Sequence, residues 1–146
     1  MLHELLKDDA AHEVTLAEEL AFLKRYLAVE QIRFSDRLRP TFDIDESALG
    51  VMVPTLVLQQ LVENAVRHGI AKRTEAGRVH IAARRDGGDI VLTVTDDGPG
   101  LASSTSGVGL ANIRARLAAL HGSRAKLELT SPPAGGTIAT VRLPHA

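Results

Sequence analysis

The four residues Asp86-Gly87-Gly88-Asp89 limit the folds open to this chain more than any others. Arg78 to Arg85 on one side and Ile90 to Thr95 on the other both read as strands, and a connection this short joins two strands only as an antiparallel hairpin. A second tight connection, Pro132-Pro133-Ala134-Gly135-Gly136, separates strands expected near Arg124 to Leu129 and Thr137 to Leu143. Two such hairpins are too short for the crossovers of a doubly wound parallel sheet. The order strand, helix, hairpin, helix, hairpin instead predicts an α/β sandwich: a mixed, mostly antiparallel sheet with its helices packed on one face.

The helices announce themselves through their ends. Thr15-Leu16-Ala17-Glu18 is a capping box, which predicts a helix running to about Phe34. Leu16, Leu20, Leu23 and Leu27 form an apolar stripe that Phe22, Tyr26 and Val29 widen, so this helix is expected to bury a broad face. That face packs either in the chain's own core or on a neighbouring helical segment or subunit. Arg37 to Asp45 alternates and contains Pro40, the pattern of an edge strand. Pro54 is expected in the first turn of the next helix and Gly69 just past its end. A last helix is expected from about Val108 to His121, stopped by Gly122.

Composition removes several classes of function. The 146 residues suit one domain with one core, and the absence of cysteine excludes disulfides and thiolate chemistry. With 17 basic against 18 acidic residues and 3% aromatics, nothing marks the chain as a nucleic-acid binder. No apolar run approaches the ~18 residues of a membrane span, and MLHELLKDDAAHE lacks the layout of a signal peptide.

Three segments carry chemistry. On the helix from Pro54 to His68, Leu58, Leu61, Val62, Ala65 and Val66 share one side, while Gln60, Glu63, Asn64, Arg67 and His68 lie opposite. Gln60, Asn64 and His68 form a ladder at four-residue spacing, and the Asn carbonyl is a hard, neutral oxygen suited to Mg²⁺. In Thr95-Asp96-Asp97-Gly98-Pro99-Gly100 a strand ends on a carboxylate followed by glycines. Such a carboxylate can accept from a ligand amine while the backbone passes close to a planar ring. Gly107-Val108-Gly109-Leu110 leads into a helix, whose free N–H groups favour phosphate. Each segment alone is equally an ordinary polar helix face, an acidic turn or a helix entry.

Taken in order, these segments resemble the ATP-binding domain shared by histidine kinases, type II topoisomerases, the large heat-shock chaperone and mismatch-repair ATPases. Within that group the chain is similar to LytS-like sensor histidine kinases. The resemblance rests on VPTLVLQQLVENAVRHGI (Val53 to Ile70), TDDGPG (Thr95 to Gly100), GVGLANIRARL (Gly107 to Leu117), the GGT at Gly135 to Thr137, and the upstream stretch Val14 to Leu38. It implies ATP and Mg²⁺ as ligands, with Asn64 holding the metal, Asp96 binding the adenine amine, and Thr137 supporting the adenine side through water. Gly98 and Gly100 would admit the nucleotide. Gly107, Val108, Gly109 and Leu110 would belong to the phosphate lid, and Arg67 and His68 would lie near the phosphates. Residues 1–36 would be a linker helix region and 37–146 the catalytic domain. The roles of Asn112, Arg114 and Arg116 stay open.

The implied reaction is transfer of the ATP γ-phosphoryl to a histidine, from which a response regulator receives it. ATP-hydrolysing relatives place a glutamate four residues before the metal-binding Asn; here that position is Gln60, which cannot act as a general base. The P-H-F-L-F-N-like acceptor segment of the subfamily does not occur in the sequence. The chain is therefore expected to be a catalytic fragment, serving an acceptor and dimerisation segment outside it, in a cytoplasmic part of a dimeric, membrane-anchored parent. Asp97 stands where the family commonly has Asn. The alternative is a non-catalytic or serine-kinase-type nucleotide-binding regulatory module of the same fold.

Overall fold

The structure, a computed structural model, describes residues 13–34, 37–68, 77–97, 108–132 and 135–144. After a short strand β1 (Glu13–Thr15), helix α1 spans Leu16–Arg33. It begins at the capping box: the Thr15 hydroxyl accepts the Glu18 N–H at 3.2 Å, and the Glu18 carboxylate accepts the Thr15 N–H at 3.3 Å. Thr15→Ala is expected to cost about 1 kcal/mol, read as a lower urea midpoint with unchanged slope.

Leu16, Leu20, Leu23 and Leu27 are buried, but Phe22 and Val29 are 36% and 63% exposed. The buried face is thus narrower than the sequence suggests. Helix α1 lies against α2 (Val57–His68) and β2 (Leu38–Ile44), and its leucine ridge is the apolar face it buries.

Strands β2, β4 (Gly77–Asp86), β5 (Asp89–Asp96), β7 (Thr137–Pro144) and β6 (Lys126–Thr130) form one sheet in the order β2-β4-β5-β7-β6. Only the β2–β4 pairing is parallel. The hairpin closes with Asp86 opposite Asp89 and Gly87 at φ +62°. Pro40 lies on edge strand β2, as its missing donor requires.

One correction concerns Pro54. It ends strand β3 (Met52–Pro54), opposite Glu13 in a small two-stranded sheet with β1, and α2 starts later, at Val57. A strand end tolerates a residue that donates nothing just as a helix start does. Helix α3 (Val108–His121) stops at Gly122, whose φ is +59°. Arg124, expected in a strand, falls in a 3-10 turn, Gly122–Arg124.

Alternation builds the core. Val79, Ile81, Ile90, Leu92, Val94, Val141 and Leu143 are buried on one sheet face and join Leu58, Leu61 and Val62 of α2 and Ile113 and Leu117 of α3 in one cluster. His80, Thr93, Thr95 and Thr140 on the other face are only half-buried. The α/β sandwich with its mostly antiparallel sheet and helices on one face is the architecture expected from the sequence.

Candidate functional site

Helix α2 buries Leu58, Leu61, Val62, Ala65 and Val66 against the sheet, leaving Gln60, Glu63 and Asn64 half-buried and Arg67 exposed. Its N-terminus is capped from another helix. Glu19 of α1 is fully buried and accepts the N–H groups of Leu56 at 2.8 Å, Leu58 at 3.0 Å and Gln59 at 3.3 Å. A carboxylate there meets the positive end of the helix dipole. Burial pushes the Glu19 carboxyl above its ordinary range, opposed by the three N–H bonds and the Arg116 charge.

The turn into α2 is strained. Leu56 has φ +67°, in the left-handed region that a branched side chain rarely enters. Its N–H is held by Glu19 and its carbonyl accepts the Gln60 N–H at 2.9 Å, so both backbone groups are fixed.

Arg116 of α3 joins this cluster. Its guanidinium donates to the Gln60 amide oxygen at 3.0 Å and to the Thr55 carbonyl. The Gln60 carbonyl is thus engaged one turn ahead of Asn64. Arg67 pairs with Glu63 on the exposed side at 3.4 Å, an ordinary surface ion pair. His68 ends α2, and its side chain lies outside the described residues.

At the other side of the site, Asp96 is the last residue of β5 and faces Thr137, the first of β7. Gly136, at φ +87°, lies directly over that rung. A Cβ there would overlap the Asp96 carbonyl oxygen and come within 3.2 Å of its carbon. The Asp97 carboxylate accepts the Arg78 N–H at 3.0 Å, which ties it to the start of β4. Helix α2 packs against β5, so the elements bearing Asn64 and Asp96 are neighbours. Val108, Gly109 and Leu110 form the first turn of α3, whereas Gly98, Gly100 and Gly107 lie outside the described residues.

Among the described residues, no three His, Asp or Glu side chains converge on a metal position. A cation bound beside Asn64 would take most of its oxygens from phosphate and water, which is the habit of Mg²⁺. The donor set fits that ion.

Sequence reasoning passed over Glu19 and the Gln60–Arg116 contact. The signal for Glu19 was present: it sits three residues after Leu16 and four before Leu23, a carboxylate on the apolar side of its helix. Nothing in the sequence announces the contact to Arg116, which lies 56 residues from Gln60.

No helix among the described residues is long and apolar enough to cross a membrane. The sensor protein LytS of Staphylococcus haemolyticus is 35% identical over 139 residues, covering 86% of this chain and 24% of its own length. Sensor histidine kinase BtsS of Escherichia coli K12 is 34% identical over 134 residues, covering 90% of this chain and 24% of its own. The chain thus spans about a quarter of the curated relatives it matches. Among solved structures, the catalytic domain of histidine kinase ThkA superposes with a TM-score of 0.70 at 19% identity, covering 91% of this chain and 94% of that one. Histidine kinase AdeS of Acinetobacter baumannii gives 0.66 at 20%, covering 91% and 67%. These likenesses bear on the fold. Residues 1–38 match a histidine kinase family model. Residues 53–146, with the α2 face, the Asp96–Thr137 rung and the start of α3 among them, match a second, and the chain belongs to its family, the histidine kinase-, DNA gyrase B- and HSP90-like ATPases.

Proposed function

We propose that the chain is the ATP-binding catalytic domain of a sensor histidine kinase, moving the γ-phosphoryl of ATP onto a histidine of a separate acceptor and dimerisation segment, for relay to a response regulator. The observation that carries this reading is the rung formed by Asp96 and Thr137 under the Gly136 backbone, beside the helix that presents Asn64. A carboxylate at a strand end can accept from the adenine amine, and the bare backbone of Gly136 leaves the rung uncrowded. The Asn64 amide oxygen would hold Mg²⁺, which when bound supplies charge neutralisation at the phosphates.

Transfer is favoured over hydrolysis by what stands one turn before Asn64. Gln60 carries no carboxylate, and its amide oxygen already accepts from Arg116. No base is placed there to take a proton from water. The first turn of α3 offers backbone N–H groups to the phosphates.

The test is calorimetric titration with ATP, with and without Mg²⁺. The parent chain is expected to bind ATP more tightly when Mg²⁺ is present, and Asn64→Ala is expected to abolish the metal dependence while leaving the unfolding midpoint nearly unchanged. Supplied in trans with γ-labelled ATP, a histidine-bearing acceptor segment should acquire acid-labile label. A parent chain that ignores ATP, or an Asn64→Ala variant that keeps the full metal effect, overturns the reading.

A further inference from the structure

One polar network joins three helices that the sequence separates widely. Helix α1 contributes the Glu19 carboxylate, the first turn of α2 contributes the N–H groups that it caps, and α3 contributes the Arg116 guanidinium. Arg116 donates both to Gln60 and to the Thr55 carbonyl, the residue before strained Leu56. Asn64 follows Gln60 by one helical turn on the same line of α2, and Arg116 follows Gly109 by two turns on α3. The residue proposed to hold the metal and the helix start proposed to face the phosphates are therefore referenced to the same pair of groups, the buried Glu19 carboxyl and the half-buried Arg116 guanidinium.

From this we infer that Arg116 and Glu19 are positioning residues for Mg²⁺-ATP, and that through them the seating of α1 sets the affinity of the phosphate side of the site. The inference rests on the reading of Asn64 given above. Glu19 is fully buried and holds both sides of the Leu56 turn's entry into α2, so α1 cannot slide along its axis without dragging that turn or breaking its cap. A displaced turn moves Gln60, and with it the next turn, which bears Asn64. Because binding linkage is reciprocal, nucleotide bound at Asn64 must in the same measure steady the Glu19 cap. Helix α1 lies within the stretch matched by the histidine kinase family model, residues 1–38. Movement arriving through that stretch would reach the nucleotide by this route.

The experiment compares the parent chain with Arg116→Met and Arg116→Lys, titrating each with Mg²⁺-ATP and, separately, with metal-free adenosine. It also follows hydrogen exchange at the Leu56, Leu58 and Gln59 amides of the unmodified chain, with and without Mg²⁺-ATP. Arg116→Met should bind Mg²⁺-ATP about five- to twentyfold more weakly, while adenosine, which engages only the Asp96 side, changes by less than about twofold. Arg116→Lys, able to reach one of the two acceptors, should recover part of the loss, and the three amides should exchange more slowly with nucleotide bound. Equal losses for both ligands, unchanged Mg²⁺-ATP affinity, or amide exchange indifferent to nucleotide would each overturn the inference while leaving the ATP reading in place. A parent chain that binds neither ligand overturns both. If Arg116→Met does not fold, the exchange measurement decides.

Discussion

Glu19→Ala is expected to lower stability by about 3–5 kcal/mol, because it strips a buried helix start of the carboxylate that accepts three of its N–H groups. The Leu56 N–H would lose its acceptor Oε1, and the Leu58 and Gln59 N–H groups the Oε2 they share. Against a typical total of about 5–15 kcal/mol, urea unfolding should register a midpoint far below the parent's. A shift within the error of the parent curve would mean that the cap contributes nothing.

Glu19→Gln keeps the shape and one acceptor oxygen, so it should be milder, and it isolates a pH effect. Burial raises the Glu19 carboxyl above its ordinary value of 4.5 in the folded state. The stability tied to its protonated form is fully present below that ordinary value and is lost as pH rises through the raised one. The parent should therefore lose stability relative to Glu19→Gln as pH climbs from about 4.5. Asp45 and Asp86, held low by hydrogen bonds to Ser47 and Arg142, act in the opposite sense. Both proteins carry them, so the difference between the two curves removes their contribution.

The second large effect is expected at Gly136. Alanine there must take φ +87° and place a methyl on the Asp96 carbonyl, with the Asp97 Cα only 3.3 Å away. Left-handed strain plus overpacking against backbone suggests about 2–4 kcal/mol. ATP binding should fall with it, because the strand end that yields is the one carrying Asp96. Gly135→Ala supplies the comparison: its φ of +100° is also left-handed, yet a Cβ there meets nothing within 4 Å among the described residues. Gly135→Ala should lose stability through strain alone and bind ATP nearly as the parent does. Equal effects at the two positions would remove the Asp96 contact from the explanation.

What the sequence made legible was mostly what short stretches decide by themselves. The hairpin at Gly87 and Gly88, the Thr15–Glu18 box and the Gly122 stop each depend on residues within a few positions of one another, and each stands in the structure as expected. The β1–β3 sheet was not legible, since its strands are three residues long and separated by the whole of α1 and β2. Pro54 was misplaced for the same reason: its local chemistry suits either element, and a distant partner, Glu13, decides. Phe22 and Val29 belong to the apolar arc of α1 in projection, but among the described residues they stay exposed, and periodicity alone does not reveal that. At the candidate site, Asn64 and Asp96 stood out by their chemistry within short motifs, and Thr137 came from the resemblance those motifs carry. The Glu19 cap and the Arg116 contact span 37 to 61 residues and leave almost no local trace.

The ladder between β5 and β7 has a consequence for how such a pocket changes over evolutionary time. Asp96 meets Thr137 at one end, and Asp89 meets Pro144 at the other, where Arg142 grips Asp89 at 2.9 Å and Asp86 at 2.6 Å. A slip of one residue would turn Ile138, Thr140 and Arg142 toward the core and Val141 and Leu143 away from it. The identity of the residue facing Asp96 is therefore fixed by counting from a clamp at the far end of the sheet. Substitutions along these strands can accumulate without touching that count, whereas a single deletion between Ile138 and Leu143 would put a different side chain opposite Asp96.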